Sequence, residues 1–116
     1  MKERFRVELL EGAAEFLEEQ QTKTREKVLF NMWKARNLND KELFKKLTDE
    51  VWEFRTLYRK THIRFFAFWD KSDNKDTIVI STHGFIKKTG KVPKSEIERA
   101  EQLRLKYFEN KKNRKS

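Results

Sequence analysis

The stretch from Val51 to Ile86 constrains the fold more than any other part of the chain. Within it, "VWEFRTLYR" sets Trp52, Phe54 and Tyr58 against Glu53, Arg55 and Leu57. "THIRFFAFWD" sets Ile63, Phe65, Ala67 and Trp69 against Arg64, Phe66 and Phe68, and "TIVISTHGFI" is a third run, rich in β-branched residues. A period of two predicts strands. The first two runs meet so tightly, around Arg59–Thr61, that an antiparallel hairpin is the natural joint. The polar connector "DKSDNKD" forms a longer loop to the third. Strict alternation places Ile78 and Ile80 on one face of that strand, and Val79 and Phe85 on the other. Both faces of the sheet therefore need cover.

The flanking segments supply candidates for that cover. "RFRVELL" alternates Phe5, Val7 and Leu9 with Arg4, Arg6 and Glu8, an N-terminal strand. "AAEFLEEQ" reads as a short helix with Ala13, Phe16 and Leu17 inward. After Gln21–Thr24 a second helix carries Val28, Leu29, Met32 and Trp33 on one stripe. Asn39 and Glu42 have the spacing of a capping box, which predicts a short helix with Leu43, Phe44 and Leu47. Pro93 and the Ser95–Glu98 capping-box spacing open a C-terminal helix to about Asn110, with Ile97, Ala100, Leu103 and Tyr107 inward. The order predicts an α+β domain over 1–110, its N-terminal strand and helices packed on an antiparallel sheet and the C-terminal helix on the other face. Residues 111–116 read as a basic, frayed tail.

Hydrophobic residues make up 36% of the 116 and charged residues 41%, so one compact core is all the chain can fill. Fifteen aromatics compensate by burying a large area each. Cysteine is absent and histidine occurs twice, which excludes disulfides and leaves no convincing metal site. No apolar run has the length of a membrane span, and a cytoplasmic protein is expected. The net charge is +9, of which residues 87–116 supply +7 (eleven Lys/Arg against four Glu). Such a segment suits a polyanion or an acidic protein partner; the alternative is ordinary solubility, and composition alone does not choose between them.

Cations that interrupt apolar strands are the candidate functional residues, because burying a charge is costly. Arg55 and Arg64 lie on adjacent strands. Sharing a face, they make a fork suited to a phosphodiester; the alternative is an ion pair between Arg55 and Glu53. Lys87 and Lys88 end the third strand in "HGFIKKTGKVP" and point to opposite sides, Lys87 on the side of His83 and Phe85. An aromatic beside a cation stacks on an unpaired base while the cation holds its phosphate. For Phe85 the alternative is packing beneath the C-terminal helix. Lys91 and Lys94 extend the same basic stretch as RNA contacts. His83 is a candidate acid–base group, or else structural, and His62 reads as merely exposed. Phe65, Phe68, Trp69, Trp33 and Trp52 read as core. No P-loop, nucleophile elbow or dinucleotide fingerprint is present.

"VELLEGAAEFLEEQ", "VWEFRTLYRKTHIRFFAF" and "IVISTHGFIKKTGKVPKSEIERA" resemble the phage-derived, HigB-type branch of the RelE/ParE toxin superfamily. The resemblance implies a toxin of a type II toxin–antitoxin pair. It implies an mRNA interferase that works in the ribosome, attacks with the RNA's own 2′-hydroxyl and needs no metal or cofactor. It also implies a helix-turn-helix, HigA-like antitoxin. Carried onto this chain, the phosphate-stabilising arginines are Arg55 and Arg64, and the basic strand-end position is Lys87 or Lys88. His83 or a lysine would serve as base, and Tyr58 or Tyr107 as proton donor. The alternatives within the superfamily are a ParE-like gyrase inhibitor without nuclease activity and an inactive nucleic-acid-binding prophage relic.

Overall fold

The computed structural model of the protein describes residues 4–73, 77–88 and 90–115. Its elements are β1 (Arg6–Leu9), α1 (Glu11–Glu18), α2 (Thr22–Asn37), β2 (Phe44–Lys46), β3 (Trp52–Tyr58), β4 (Thr61–Asp70), β5 (Ile78–Lys87) and α3 (Lys94–Lys115). The expected α+β class holds. The strands form one sheet in the order β1-β5-β4-β3-β2. Pairings β2–β3, β3–β4 and β4–β5 are antiparallel, whereas β1 adds a parallel edge to β5, so the sheet is mixed. The tight β3–β4 hairpin turns on Arg59 and Lys60, both at positive φ (50° and 65°), as a two-residue type I′ turn requires. The polar connector between β4 and β5 lies in part, at 74–76, outside the described residues.

Two cores lie on the two faces. Phe5, Val28, Met32, Phe54, Ile63, Phe65 and Val79 pack between the sheet and helices α1 and α2. Val51, Phe66 and Ala100, with Phe85 and Ile97 against them, pack beneath α3. The C-terminal helix thus covers the second face, as the two-sided apolar pattern demanded. It runs to Lys115 rather than ending near Asn110. Ser95 falls inside its first turn, and the Glu96 N–H donates to Pro93 O at 3.1 Å, so the helix does not start on a Ser95 capping box.

Three local expectations are corrected. The segment after Asn39 is a turn followed by β2, not a helix. Asp40 Oδ1 accepts the Glu42 N–H at 2.9 Å, and Phe44 stacks on Phe54 and Trp52 with ring centres 4.4 and 4.9 Å apart. Packing into that aromatic cluster at the sheet edge outweighs a local helix signal.

Helix α2 buries Val28, Asn31, Met32 and Ala35, leaving Leu29 and Trp33 outside the core. Asn31 Nδ2 donates to Thr56 Oγ1 at 3.1 Å, on the same phase as the buried Val28, Met32 and Ala35.

A register shift between Phe66 and Ala67 inserts an extra residue in β5. It moves Phe85 to the face of Ile78 and Ile80, away from Val79.

Gly84 does not adopt positive φ. A Cβ there would lie 2.5 Å from Phe16 Cδ1 and 2.9 Å from Phe65 Cε2, so close packing of two rings is what requires glycine.

Candidate nucleic-acid interface

Registers across the three central strands decide which side chains share a face. Arg55 pairs with Arg64, and Arg64 with Phe85; one row toward the hairpin, Leu57 pairs with His62 and His62 with Lys87. One row the other way, Glu53 pairs with Phe66 and Phe66 with His83. Side chains two residues apart on a strand point the same way, so all nine project toward the α3 side. The two arginines share a face.

The carboxylate of Glu53 sits between them. Arg64 Nε lies 3.1 Å from Glu53 Oε1, and Arg55 Nε lies 4.0 Å from Glu53 Oε2. Arg55 keeps 27% of its side-chain surface and Arg64 only 3%. The Arg55–Glu53 ion pair therefore forms, but its shorter arm reaches Arg64. Burial lowers the Arg64 pKa from its ordinary value and Arg55 lowers it further, while Glu53 opposes both. A guanidinium remains charged through such shifts. Arg55 Nη1 also donates to Lys41 O at 3.4 Å, which aims the more open guanidinium along the β2 edge.

Phe85 is half-buried, edge-on to Phe66 at 5.1 Å, so it packs partly beneath α3 and keeps an open side. Lys87 is half-buried, Lys88 is exposed just past the strand, and Lys91 and Lys94 are exposed before and at the start of α3. Thr89, in the same stretch, lies outside the described residues.

Three candidates are placed away from this open edge. His83 keeps 1% of its surface and lies beneath α3. Its Nδ1 is 3.0 Å from Thr82 Oγ1 and its Nε2 is 3.6 Å from Glu96 Oε1. Burial, with Arg99 nearby, lowers its pKa to about 4, so the ring is neutral at pH 7. An enclosed imidazole has no path to a substrate hydroxyl in this arrangement.

Tyr58 has the parity of Phe54 and Thr56, which face α2, so it lies on the opposite side of the sheet from the arginines. Tyr107 donates to Asp70 Oδ2 at 2.6 Å, and its pKa is raised first by burial and then by that bond.

Two residues gain importance. Glu53 follows from the same alternation that gave Arg55, because positions 53 and 55 share a face. His62 is exposed, directly across from Lys87 and two residues from Arg64 on the same face. Its position at a hairpin end hid that relation. A cleft of about 620 Å³ between α1 and α3 is lined by charges of both signs, among them Glu11, Glu15, Arg99, Lys106 and Arg114. Among the described residues no group of His, Asp and Glu is arranged to hold a metal ion, and no helix is long and apolar enough to cross a membrane.

A family described as Phage derived protein Gp49-like (DUF891) matches residues 15–105, from the second half of α1 to the middle of α3, and includes every residue of the three rows. The chain belongs to that family. It is a RelE-like family associated with toxin–antitoxin systems. The match covers the sheet carrying Arg55, Arg64 and Phe85, so family membership and the basic face rest on the same part of the chain. No curated protein matches the sequence.

Proposed function

We propose that this protein is the HigB-like toxin of a type II toxin–antitoxin pair and that it cleaves mRNA in the ribosome. The observation that carries the proposal is the cross-strand row Arg55–Arg64–Phe85, with Lys87 and His62 in the next row, on one face of the sheet. This row combines cations for a phosphodiester with a ring for an unpaired base.

In the reaction, a ribose 2′-oxygen attacks the adjacent phosphorus, a cyclic phosphate forms and the 5′-oxygen leaves. Negative charge builds on the phosphorane oxygens. Arg55, partly open, meets that charge directly, and Arg64, closed on Glu53 behind it, offsets the carboxylate that would otherwise neutralise Arg55. Glu53 holds both guanidiniums in place before substrate arrives, so little reorganisation is needed. Phe85 stacks on a base beside the scissile bond, and Lys88, Lys91 and Lys94 hold flanking phosphates. His62 and Lys87 are the proton-transfer groups open to solvent on this face, taking the roles first assigned to His83 and Tyr58.

Expression of the protein in growing bacteria tests the proposal, with cleavage mapped on messages in translating ribosomes. Growth arrest with new mRNA ends is expected, and Arg55→Ala should reduce cleavage by about 10²–10³ in rate, the typical cost of one oxyanion-stabilising donor. Arrest accompanied by intact messages and DNA damage would assign the toxin to gyrase instead. No arrest in the absence of any antitoxin would leave a prophage relic.

A further inference from the structure

On the outer face of α2 the expected packing fails. Leu29, Phe30, Trp33 and Leu38 each keep between 44 and 53% of their surface. The rings of Phe30 and Trp33 stack with centres 6.0 Å apart and planes 18° apart, so they form one apolar platform. Two ammonium groups, of Lys27 and Lys34, stand 5.9 and 5.5 Å from the centre of the Phe30 ring, one from each side along the helix. The platform is therefore ringed by positive charge. Over α2 as a whole Lys23, Arg25, Lys27, Lys34 and Arg36 face a single acid, Glu26.

A contiguous apolar patch with a polar rim marks a binding surface in a small soluble domain. Its chemistry selects the occupant. Aliphatic Leu29 and Leu38 at its edges favour apolar side chains over bases, and the lysines already over Phe30 leave little open π-face for stacking. A second copy of this helix would bring the same excess positive charge and be repelled. An amphipathic segment with apolar side chains along one stripe and carboxylates beside it satisfies both the platform and its rim.

We infer that this face docks such an acidic, amphipathic segment of the antitoxin. The inference rests on the toxin reading above and adds where the partner binds. Asn31 holds α2 to Thr56 on the sheet face opposite Arg55 and Arg64, so a partner seated here does not touch the arginine row.

The test is calorimetric titration of the full-length protein with the purified product of the adjacent reading frame. Phe30→Ala and Trp33→Ala should each weaken binding by roughly thirtyfold, the size of an interface hot spot. Lys27→Glu with Lys34→Glu should weaken it more at low salt than at high salt. Arg55→Ala should bind as wild type does. Both aromatic positions are exposed, so the variants should fold, and near-native circular dichroism would verify this.

Unchanged affinity in both aromatic variants, or no binding by the wild type, overturns the inference. So does a wild-type dimer that Trp33→Ala dissolves, or binding of a single-stranded RNA that Trp33→Ala abolishes. Toxicity is read separately. Phe30→Ala and Trp33→Ala should still arrest growth. A harmless wild type that nonetheless binds through α2 would strike the nuclease reading and leave the docking face standing.

Discussion

Arg64 Nε stands 3.1 Å from Glu53 Oε1, and the two side chains keep only 3% and 5% of their surface. A charge pair so enclosed contributes little net stability, but removing one member strands the other. Glu53→Ala should therefore lower the unfolding free energy by about 3–5 kcal/mol. Glu53→Leu combined with Arg64→Met should recover most of that loss while remaining inactive. Urea unfolding of the three proteins measures both effects. A single variant as stable as wild type would show that the pair is not closed in solution.

His83 makes stability depend on pH in a defined window. Its folded pKa of about 4 lies below the usual histidine value of about 6.5, burial being the main cause and Arg99 the second. The unfolded chain therefore takes up a proton that the folded one resists. The stabilising contribution is complete above pH ~6.5 and is lost as the pH falls toward about 4, amounting to roughly 3 kcal/mol. Glu96, 3.6 Å away, softens the loss while it stays ionised. The difference in unfolding free energy between wild type and His83→Asn, followed from neutral pH downward, should shrink across that window. A constant difference would mean that solvent reaches the ring.

How far these features were legible in the sequence depends on the range of the interactions that set them. The β3–β4 hairpin was legible because its alternation and its two-residue joint are both local. Once the hairpin is given, the pairing of Arg55 with Arg64 follows. The phase of α2 was not legible: a Val28–Leu29–Met32–Trp33 stripe is as periodic as the true one. The phase is set by contacts distant in sequence: Val28, Met32 and Ala35 pack in the core against the sheet, and Asn31 donates to Thr56. The same holds for β2, where an aromatic cluster drawn from β2, β3, β4 and Phe5 overrode a capping-box spacing. In β5 a bulge invisible to composition turned Phe85 toward the arginines. The burial of Arg64 and His83 depends on where α3 lies, and nothing near either residue announces it.

The hairpin turn is built from residues poorly suited to it. Arg59 and Lys60 adopt φ of 50° and 65°, a left-handed pair that costs side-chain-bearing residues about 1–2 kcal/mol each. Arg59 recovers part of this by lying 5.2 Å above the Tyr58 ring, worth about 0.5–1 kcal/mol at an exposed site. Asparagine followed by glycine is the pair that such a turn favours. The double substitution Arg59→Asn with Lys60→Gly should therefore stabilise the protein by about 1–2 kcal/mol. Thermal unfolding midpoints report the gain. A lower midpoint would mean that the Arg59–Tyr58 contact outweighs the turn strain.

Asp70 anchors the C-terminal half of α3. Its carboxylate accepts from Tyr107 Oη at 2.6 Å, Lys111 Nζ at 2.7 Å and Ser72 Oγ at 2.6 Å. Burial alone would raise its pKa, but the bonds from Lys111, Ser72 and Tyr107 hold it well below the carboxylate range. Its stabilising contribution is present above pH ~4 and lost as the pH falls below that value. Tyr107, with its pKa raised, contributes stability that is complete below pH ~10 and lost above it. Asp70→Asn should cost about 2–4 kcal/mol at pH 7, and the cost should diminish outside those limits. Hydrogen exchange should show faster opening of α3 beyond Tyr107 in the variant. Unaltered exchange there would mean that the helix end is held by other contacts.

Gly84 offers the sharpest test of packing at the base of the candidate site. The Phe16 and Phe65 rings meet edge-on at 5.5 Å directly over its Cα. An added Cβ would approach Phe16 Cδ1 to 2.5 Å and the Phe65 ring to 2.9 Å. Glycine to alanine in an extended strand normally stabilises by about 0.4–1 kcal/mol through the unfolded chain. Here overpacking should reverse the sign and cost about 1–3 kcal/mol. Phe16 lies on the short α1, so its ring is the one more able to yield. Phe16→Leu should therefore restore part of the loss in the double variant, while Phe65, fixed within β4, should not allow the same rescue. A Gly84→Ala variant as stable as wild type would mean that α1 shifts freely on the sheet, which its buried Ala13 and Leu17 argue against.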